Sequence, residues 1–188
     1  MNAPSALSPR PLTPDSAAPY GHMLGRGIDF AQAVATSDRP GFRNDATDFC
    51  HEHVFDTSGG ETEIVWLHYR DPGPGIPRLE MHRLTEQAIV PLKGGAVIQI
   101  LARSLPSAPH QPDPASLTAL RIEPGQGLCM APGIWHASLA PDGEVTGLML
   151  TRRSTTRDLV AHLRDGTPAG ETIIVDCASL GWPTLRIV

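Results

Sequence analysis

The sequence predicts an all-β domain, a barrel or sandwich with few short helices. Three observations carry that expectation. Glycine and proline, 18 and 19 residues of 188, make up about a fifth of the chain and supply turns at short intervals. The β-branched and apolar runs between those turns are short, the length of single strands. Only one segment repeats apolar residues at helical spacing for more than a turn. The length suits one domain, large enough to bury a core without disulfides.

The elements follow in order. Residues 1–12 carry Pro4, Pro9 and Pro11 and read as a Pro-rich flexible leader to a domain spanning 13–188. Thr13 can cap a short helical turn with Pro14 at its first position, halted at Pro19-Tyr20-Gly21. After a polar loop, Ile64–Tyr69 is β-branched and aromatic, and ends at the turn cluster Asp71–Gly75. Further strands are expected at Arg78–Leu84, Ala88–Pro91, Ala96–Arg103, Leu117–Ile122, Gly127–Met130, Trp135–Leu139 and Glu144–Thr151. From Thr155, the recurrence of Leu159, Val160 and Leu163 predicts a helix closed by Gly166. A last strand is expected at Glu171–Val175.

Charge and composition exclude several functions. The net charge of −5, with Lys93 the only lysine, leaves no basic footprint for nucleic acid. The longest apolar runs, Ala96–Ala102 and Val145–Leu150, are too short to span a bilayer, so no membrane partner is expected. The first twenty residues lack a basic-then-apolar signal pattern, and the expected location is cytoplasmic. Cys50, Cys129 and Cys177 are odd in number and far apart, which argues against a disulfide framework. Nucleophile elbows, phosphate loops and dinucleotide fingerprints do not occur.

Two segments carry the chemistry. In the first, Glu80-Met81-His82, alternation along a strand puts Glu80 and His82 on one face, a carboxylate beside an imidazole. It continues through Glu86-Gln87 to Pro91-Leu92-Lys93-Gly94. In the second, Gly125 to His136, the turn Pro132-Gly133 delivers Trp135 and His136 at the start of a strand. These segments resemble the two signature segments of cupins, which are single β-barrels of the double-stranded β-helix type. Glu80 then stands at the first histidine position of the cupin pattern, Gln87 (or, less well placed, Glu86) at its glutamate, and His136 at its last histidine. The resemblance implies that Glu80, His82, Gln87 and His136 converge inside the barrel.

The likeness narrows to one family. Glu-x-His, a Gln five residues after the His, the Pro-Leu-Lys-Gly turn and the later Trp-His together resemble the ureidoglycolate lyase family, also called ureidoglycolate hydrolase. Pro19-Tyr20-Gly21 and Asp113–Leu120 add to it; the likeness runs from about Pro14 to Arg153 and is dense from Arg78 to His136. The chain departs from the family at Met81, where Arg is usual, and at Arg83, where Pro is. It departs again at Glu86, where Ser or Thr is usual, and at Ala137, where a second His is.

The family releases urea and glyoxylate from ureidoglycolate in allantoin breakdown. The resemblance therefore implies a small-molecule substrate, a C–N lyase reaction and, by family habit and the abundance of symmetric dimers, a homodimer. His82 is the implied acid–base residue, Glu80 its partner and His136 a second proton-handling group. Gln87 would bind the ureido amide, Lys93 would pair with the carboxylate or cap its own turn, and Trp135 would line the pocket. The set Glu80, His82, Gln87 and His136 equally suits a divalent metal such as Fe, Mn, Ni or Zn. That leaves two alternatives open: a metal-dependent cupin enzyme of other chemistry, and a non-catalytic small-molecule-binding cupin.

A rival cluster, Cys50-His51-Glu52-His53, has the His-x-His look of a metal site, but no Glu follows at cupin distance. Its alternation predicts a strand with two exposed imidazoles, and Glu86 reads as a solvated carboxylate.

Overall fold

The computed structural model describes residues 3–25, 41–71, 73, 75–167 and 169–188. Pro72 and Pro74 of the expected turn cluster, Met1 and Asn2 of the leader, and part of the polar loop lie outside the described residues. In chain order the early elements are β1 (Ala6–Leu7), β2 (Arg10–Pro11), α1 (Pro14–Ala17), β3 (Gly21–Gly25), β4 (Gly41–Arg43) and β5 (Asp48–Cys50). The middle holds β6 (Thr62–Tyr69), β7 (Gly75–Ile76), β8 (Arg78–His82), β9 (Gln87–Gly94), β10 (Val97–Ala102), β11 (Ser104–Leu105) and β12 (Ala108–Pro112). The rest are β13 (Thr118–Ile122), β14 (Gln126–Met130), β15 (Trp135–Leu139), β16 (Val145–Arg152), α2 (Arg153–Asp165), β17 (Thr172–Asp176) and β18 (Leu185–Ile187).

Two sheets face each other to make the all-β barrel expected from the sequence. One runs β17-β8-β15-β10-β13-β2 and the other β3-β14-β9-β16-β6. Alternation along each strand separates the two faces. Val97, Leu101, Leu120 and Ile122 of the first sheet meet Ile89, Leu128, Met130 and Val145 of the second, forming the apolar part of the barrel interior. The other face of the six-stranded sheet, with Leu79, Met81, Ile98, Ile100 and Trp135, is covered by Leu7, Ile76, Trp182 and Leu185. Those covering residues belong to or adjoin the small sheet β1-β18-β7.

That covering layer differs from the loose leader read from the prolines. Residues 3–12 are docked: β1 pairs in parallel with β18, β2 pairs in parallel with β13, and Ala3, Leu7 and Leu12 are buried. The prolines do not prevent this, because Pro11 sits on a short edge strand where a missing N–H is tolerated.

The turn at Thr13 forms as its residues dictate. Thr13 accepts from the Ser16 N–H at 3.1 Å, and Ser16 Oγ accepts from the Thr13 N–H at 2.8 Å. Gly166 closes α2 in the left-handed region at φ 67°. The apolar stripe of α2 does not enter the core, since Leu163 is 63% exposed while Thr155 and Asp158 are buried. Polar anchoring replaces apolar packing there: Ser154 and Thr155 hydroxyls donate to Glu171 Oε2 at 3.0 and 2.8 Å. Among the described residues no helix is long and apolar enough to cross a membrane.

Candidate active site

Glu80, His82 and His136 come together through strand register. β8 and β15 are antiparallel neighbours, and His136 is the cross-strand partner of Glu80. Leu79, Met81 and Trp135 point outward into the covered core, so the alternate positions 80, 82 and 136 point into the barrel. Glu80 Oε1 lies 3.5 Å from His136 Nε2 and 3.9 Å from His82 Nε2. The two imidazole rings are 5.1 Å apart, centre to centre, at 59°.

Each ring is fixed through its other nitrogen. His136 Nδ1 sits 3.0 Å from the Ile134 carbonyl, and His82 Nδ1 sits 3.0 Å from Thr172 Oγ1. Thr172 is held in turn, its N–H donating to Asp158 Oδ2 at 2.6 Å. A carbonyl only accepts, so His136 carries a proton on Nδ1 and, when neutral, turns the Nε2 lone pair toward Glu80. Both Nε2 atoms are buried without a hydrogen-bond partner.

The electrostatics of the cluster are uneven. Burial opposes ionisation of Glu80, but the nearby His136 and His82 outweigh it and hold its carboxyl below the usual range. Burial, reinforced by His136 and resisted by Glu80 and Asp158, pushes His82 down to about 4. His82 is therefore neutral at pH 7, beside an ionised carboxylate.

A cavity of about 300 Å³ opens onto this cluster, lined by Glu80, His136, Ser138 and Tyr69, with Arg78 and Leu163 also on its wall. That is the small end of ligand pockets. Behind it lies a network that the sequence reading missed. Tyr69 OH donates to Ser138 Oγ at 3.2 Å, and Ser138 Oγ donates to Gln99 Oε1 at 2.8 Å. Gln99 is wholly buried and donates to Met130 Sδ at 3.6 Å. Its signal was present in the sequence as a lone amide within Val97-Ile98-Gln99-Ile100-Leu101. An amide there is costly to bury unless partnered.

The remaining expected site residues are placed as follows. Gln87 is buried on the facing sheet, on the same strand face as Ile89, and among the described residues makes no hydrogen bond to the three. Lys93 is exposed near the far end of β9 from Gln87. Trp135 is fully buried on the outer side of its sheet, its Nε1–H donating to Ser104 Oγ at 3.0 Å. The Cys50–His53 stretch leaves β5 at Cys50 and continues without regular structure. Its Glu52 Oε1 accepts from the Gly25 N–H at 2.7 Å. Glu86, expected to be solvated, is 8% exposed and lies 2.8 Å from His53 Nε2. Burial also pushes the neighbouring Cys129 thiol up to about 12, with the Glu86 carboxylate adding to the shift.

Glu80, His82 and His136 fit a divalent cation. They are one carboxylate and two imidazoles whose ligand atoms lie within 4.8 Å of one another. Both rings are anchored at Nδ1 and present unpartnered Nε2 atoms, the arrangement usual for ligating histidines.

Residues 4–167 match the ureidoglycolate lyase family. A ureidoglycolate lyase of Mesorhizobium japonicum is 24% identical over 151 residues, covering 78% of this chain and 85% of that protein. Ureidoglycolate lyase 2 of Rhizobium meliloti is 27% identical over 139 residues, covering 70% and 76%. Among solved structures, a dTDP sugar isomerase from Desulfovibrio desulfuricans is similar at 12% identity and a TM-score of 0.41, over 71% of this chain and 78% of that one. The dTDP-4-dehydrorhamnose 3,5-epimerase of Bacillus anthracis is similar at 12% identity and a TM-score of 0.34, over 68% and 75%. The family match spans most of the sequence and includes the strands that bring Glu80, His82 and His136 into one barrel: the chain belongs to the ureidoglycolate lyase family.

Proposed function

We propose that this protein is a lyase that splits ureidoglycolate into glyoxylate and urea in the cavity beside Glu80 and His136. The observation that carries the reading is an ionised carboxylate facing the unpartnered Nε2 of a ring whose Nδ1 is already committed. Such a ring can take a proton at one defined atom and give it back.

In this reading His136 Nε2 removes the proton from the carbinol hydroxyl. The oxygen lone pair forms the C=O bond of glyoxylate, the C–N bond breaks, and its electrons stay on the urea nitrogen. That nitrogen then takes the proton back from His136, so atoms and charge balance. Glu80 stabilises the imidazolium while it holds the proton. His82, neutral and nearly buried behind Glu80, orients the carboxylate rather than supplying a proton. Tyr69, whose hydroxyl burial keeps protonated, and Ser138 offer polar contacts to the ureido group. Arg78 on the cavity wall supplies positive charge for the substrate carboxylate, competing with its ion pair to Asp176 at 2.7 Å. A divalent ion held by Glu80, His82 and His136 would occupy the Nε2 atom used in this proton transfer, and would instead supply Lewis acidity to the carbinol oxygen.

The test is direct assay of urea and glyoxylate release from ureidoglycolate, before and after chelation and with divalent ions restored. Release of both products in equal amounts supports the reading. No turnover under any of these conditions removes ureidoglycolate as the substrate.

A further inference from the structure

On the opposite side of the five-stranded sheet from the barrel cavity lies a second cluster of two imidazoles and one carboxylate. His22 of β3, His53 and Glu86 present ligand atoms that all lie within 4.8 Å of one another. The His22 and His53 rings are 4.7 Å apart at 37°. His53 Nε2 is 2.8 Å from Glu86 Oε2. His22 is the cross-strand partner of Cys129, which lies between the interior Leu128 and Met130, so His22 addresses the opposite side of the sheet.

The cluster is held in place by contacts that do not involve the imidazoles. The Asp56 N–H donates to Glu86 Oε2 at 2.8 Å, and the Glu86 N–H donates back to the Asp56 carbonyl at 2.9 Å. Glu52 anchors the same segment to the end of β3 through the Gly25 N–H. Three separate stretches of chain, around residues 22, 53 and 86, are thus laced together with their donor groups converging. Glu86 is buried, His53 is partly so and His22 is exposed, which leaves one side of the cluster open to water.

We propose that His22, His53 and Glu86 form a second metal site, selective for zinc-class divalent ions and separate from the barrel constellation. Two imidazoles and a carboxylate are a zinc donor set, and open access beside His22 leaves room for water as a fourth ligand. The hydrogen-bonded carboxylate and the fixed segment supply the outer support that such ligands need. The ion would tie the residue-53 segment to β3 and to the turn before β9, so binding stabilises the fold as well as filling the site.

The experiment is zinc titration of the full chain by calorimetry, with melting temperature followed in parallel. The titration is repeated on His22→Ala, Glu86→Gln and the double variant His82→Ala/His136→Ala. The double variant is expected to keep one zinc at unchanged affinity and to retain the zinc-induced rise in melting temperature. His22→Ala and Glu86→Gln are expected to weaken that binding by at least about 10–100-fold, the loss seen even for supporting residues. His22 is exposed, so its substitution tests the site without risk to folding. The inference is overturned if the wild-type chain binds no zinc at micromolar concentration. It is overturned equally if zinc binding disappears in the double variant, or if His22→Ala binds zinc as the wild type does. None of these outcomes depends on turnover of ureidoglycolate.

Discussion

Among the described residues the molecule carries two clusters of two histidines and a glutamate, one inside the barrel and one on the outer face of the five-stranded sheet, and they differ in how their charges are settled. In the barrel, both imidazole Nε2 atoms are buried without a partner and face a carboxylate at 3.5 and 3.9 Å. On the outer face, His53 already bonds to Glu86 at 2.8 Å, and His22 meets water. Burying an unpaired polar nitrogen costs stability, so a fold keeps one only where something else uses it. Residue type alone does not mark a reactive site. Unsatisfied hydrogen-bonding capacity inside a cavity does, and only the barrel cluster has it.

The largest expected effect breaks the reactive cluster. His136→Ala should lower ureidoglycolate turnover by about 10²–10⁴, the usual loss when acid–base help is removed. Circular dichroism should show the fold retained, and residual turnover near wild type would assign the proton transfer elsewhere.

Next in size is the pH dependence of stability. The folded-state pKa of His82 is about 4, against about 6.5 when exposed. Between those values the unfolded chain binds more protons, so stability falls as pH drops through that window. That difference corresponds to roughly 3–4 kcal/mol at most. Glu80, also shifted down, adds to the loss at still lower pH, because its stabilisation disappears as the pH passes its folded value. Across this range the denaturant midpoint of wild type should fall toward pH 4 relative to that of His82→Gln, which has no group to protonate there. Parallel curves would show that His82 is not the group responsible.

Leu7→Ala tests the covering layer. Leu7 is 8% exposed in a core shared with Leu185 and Trp182. Truncating a buried leucine costs about 2–5 kcal/mol, and a site this close to the surface belongs at the low end. In a chain of this size that lowers the melting temperature by roughly 4–8 °C. An unchanged melting temperature would mean that residues 3–12 are not docked in solution.

The smallest effect is expected for Tyr69→Phe. It removes one 3.2 Å hydrogen bond to Ser138 and should cost about 0.5–1.5 kcal/mol in denaturant unfolding. A much larger loss would show that the Tyr69–Ser138–Gln99 chain acts cooperatively.

Much of the barrel was legible in the amino-acid order, because it rests on local rules. Trp135–Leu139 forms a strand with the bounds that its residues suggest, Thr13 caps its turn, and Gly166 ends the helix. The same-face relation of Glu80 and His82 follows from alternation alone. Their meeting with His136 was expected from a family pattern; the register that produces it comes from pairing two strands more than fifty residues apart.

Other features were decided only by tertiary structure. Prolines near the start argue locally against regular structure, yet β1 and β2 form because distant strands β18 and β13 offer them unpaired edges. Trp135 adjoins His136 in sequence but lies on the opposite face of its strand, so burial in the covered core sets its direction. Glu86 reads as a solvated charge until the chain around residues 53–56 folds over it and supplies two donors. Sequence by itself determined most of the barrel strands and which of their side chains share a face, because those depend on steric preferences of a few neighbouring residues. Which faces meet, which histidines find a carboxylate, and which nitrogens are left without a partner depend on contacts between residues far apart in the chain. No local pattern encodes those contacts.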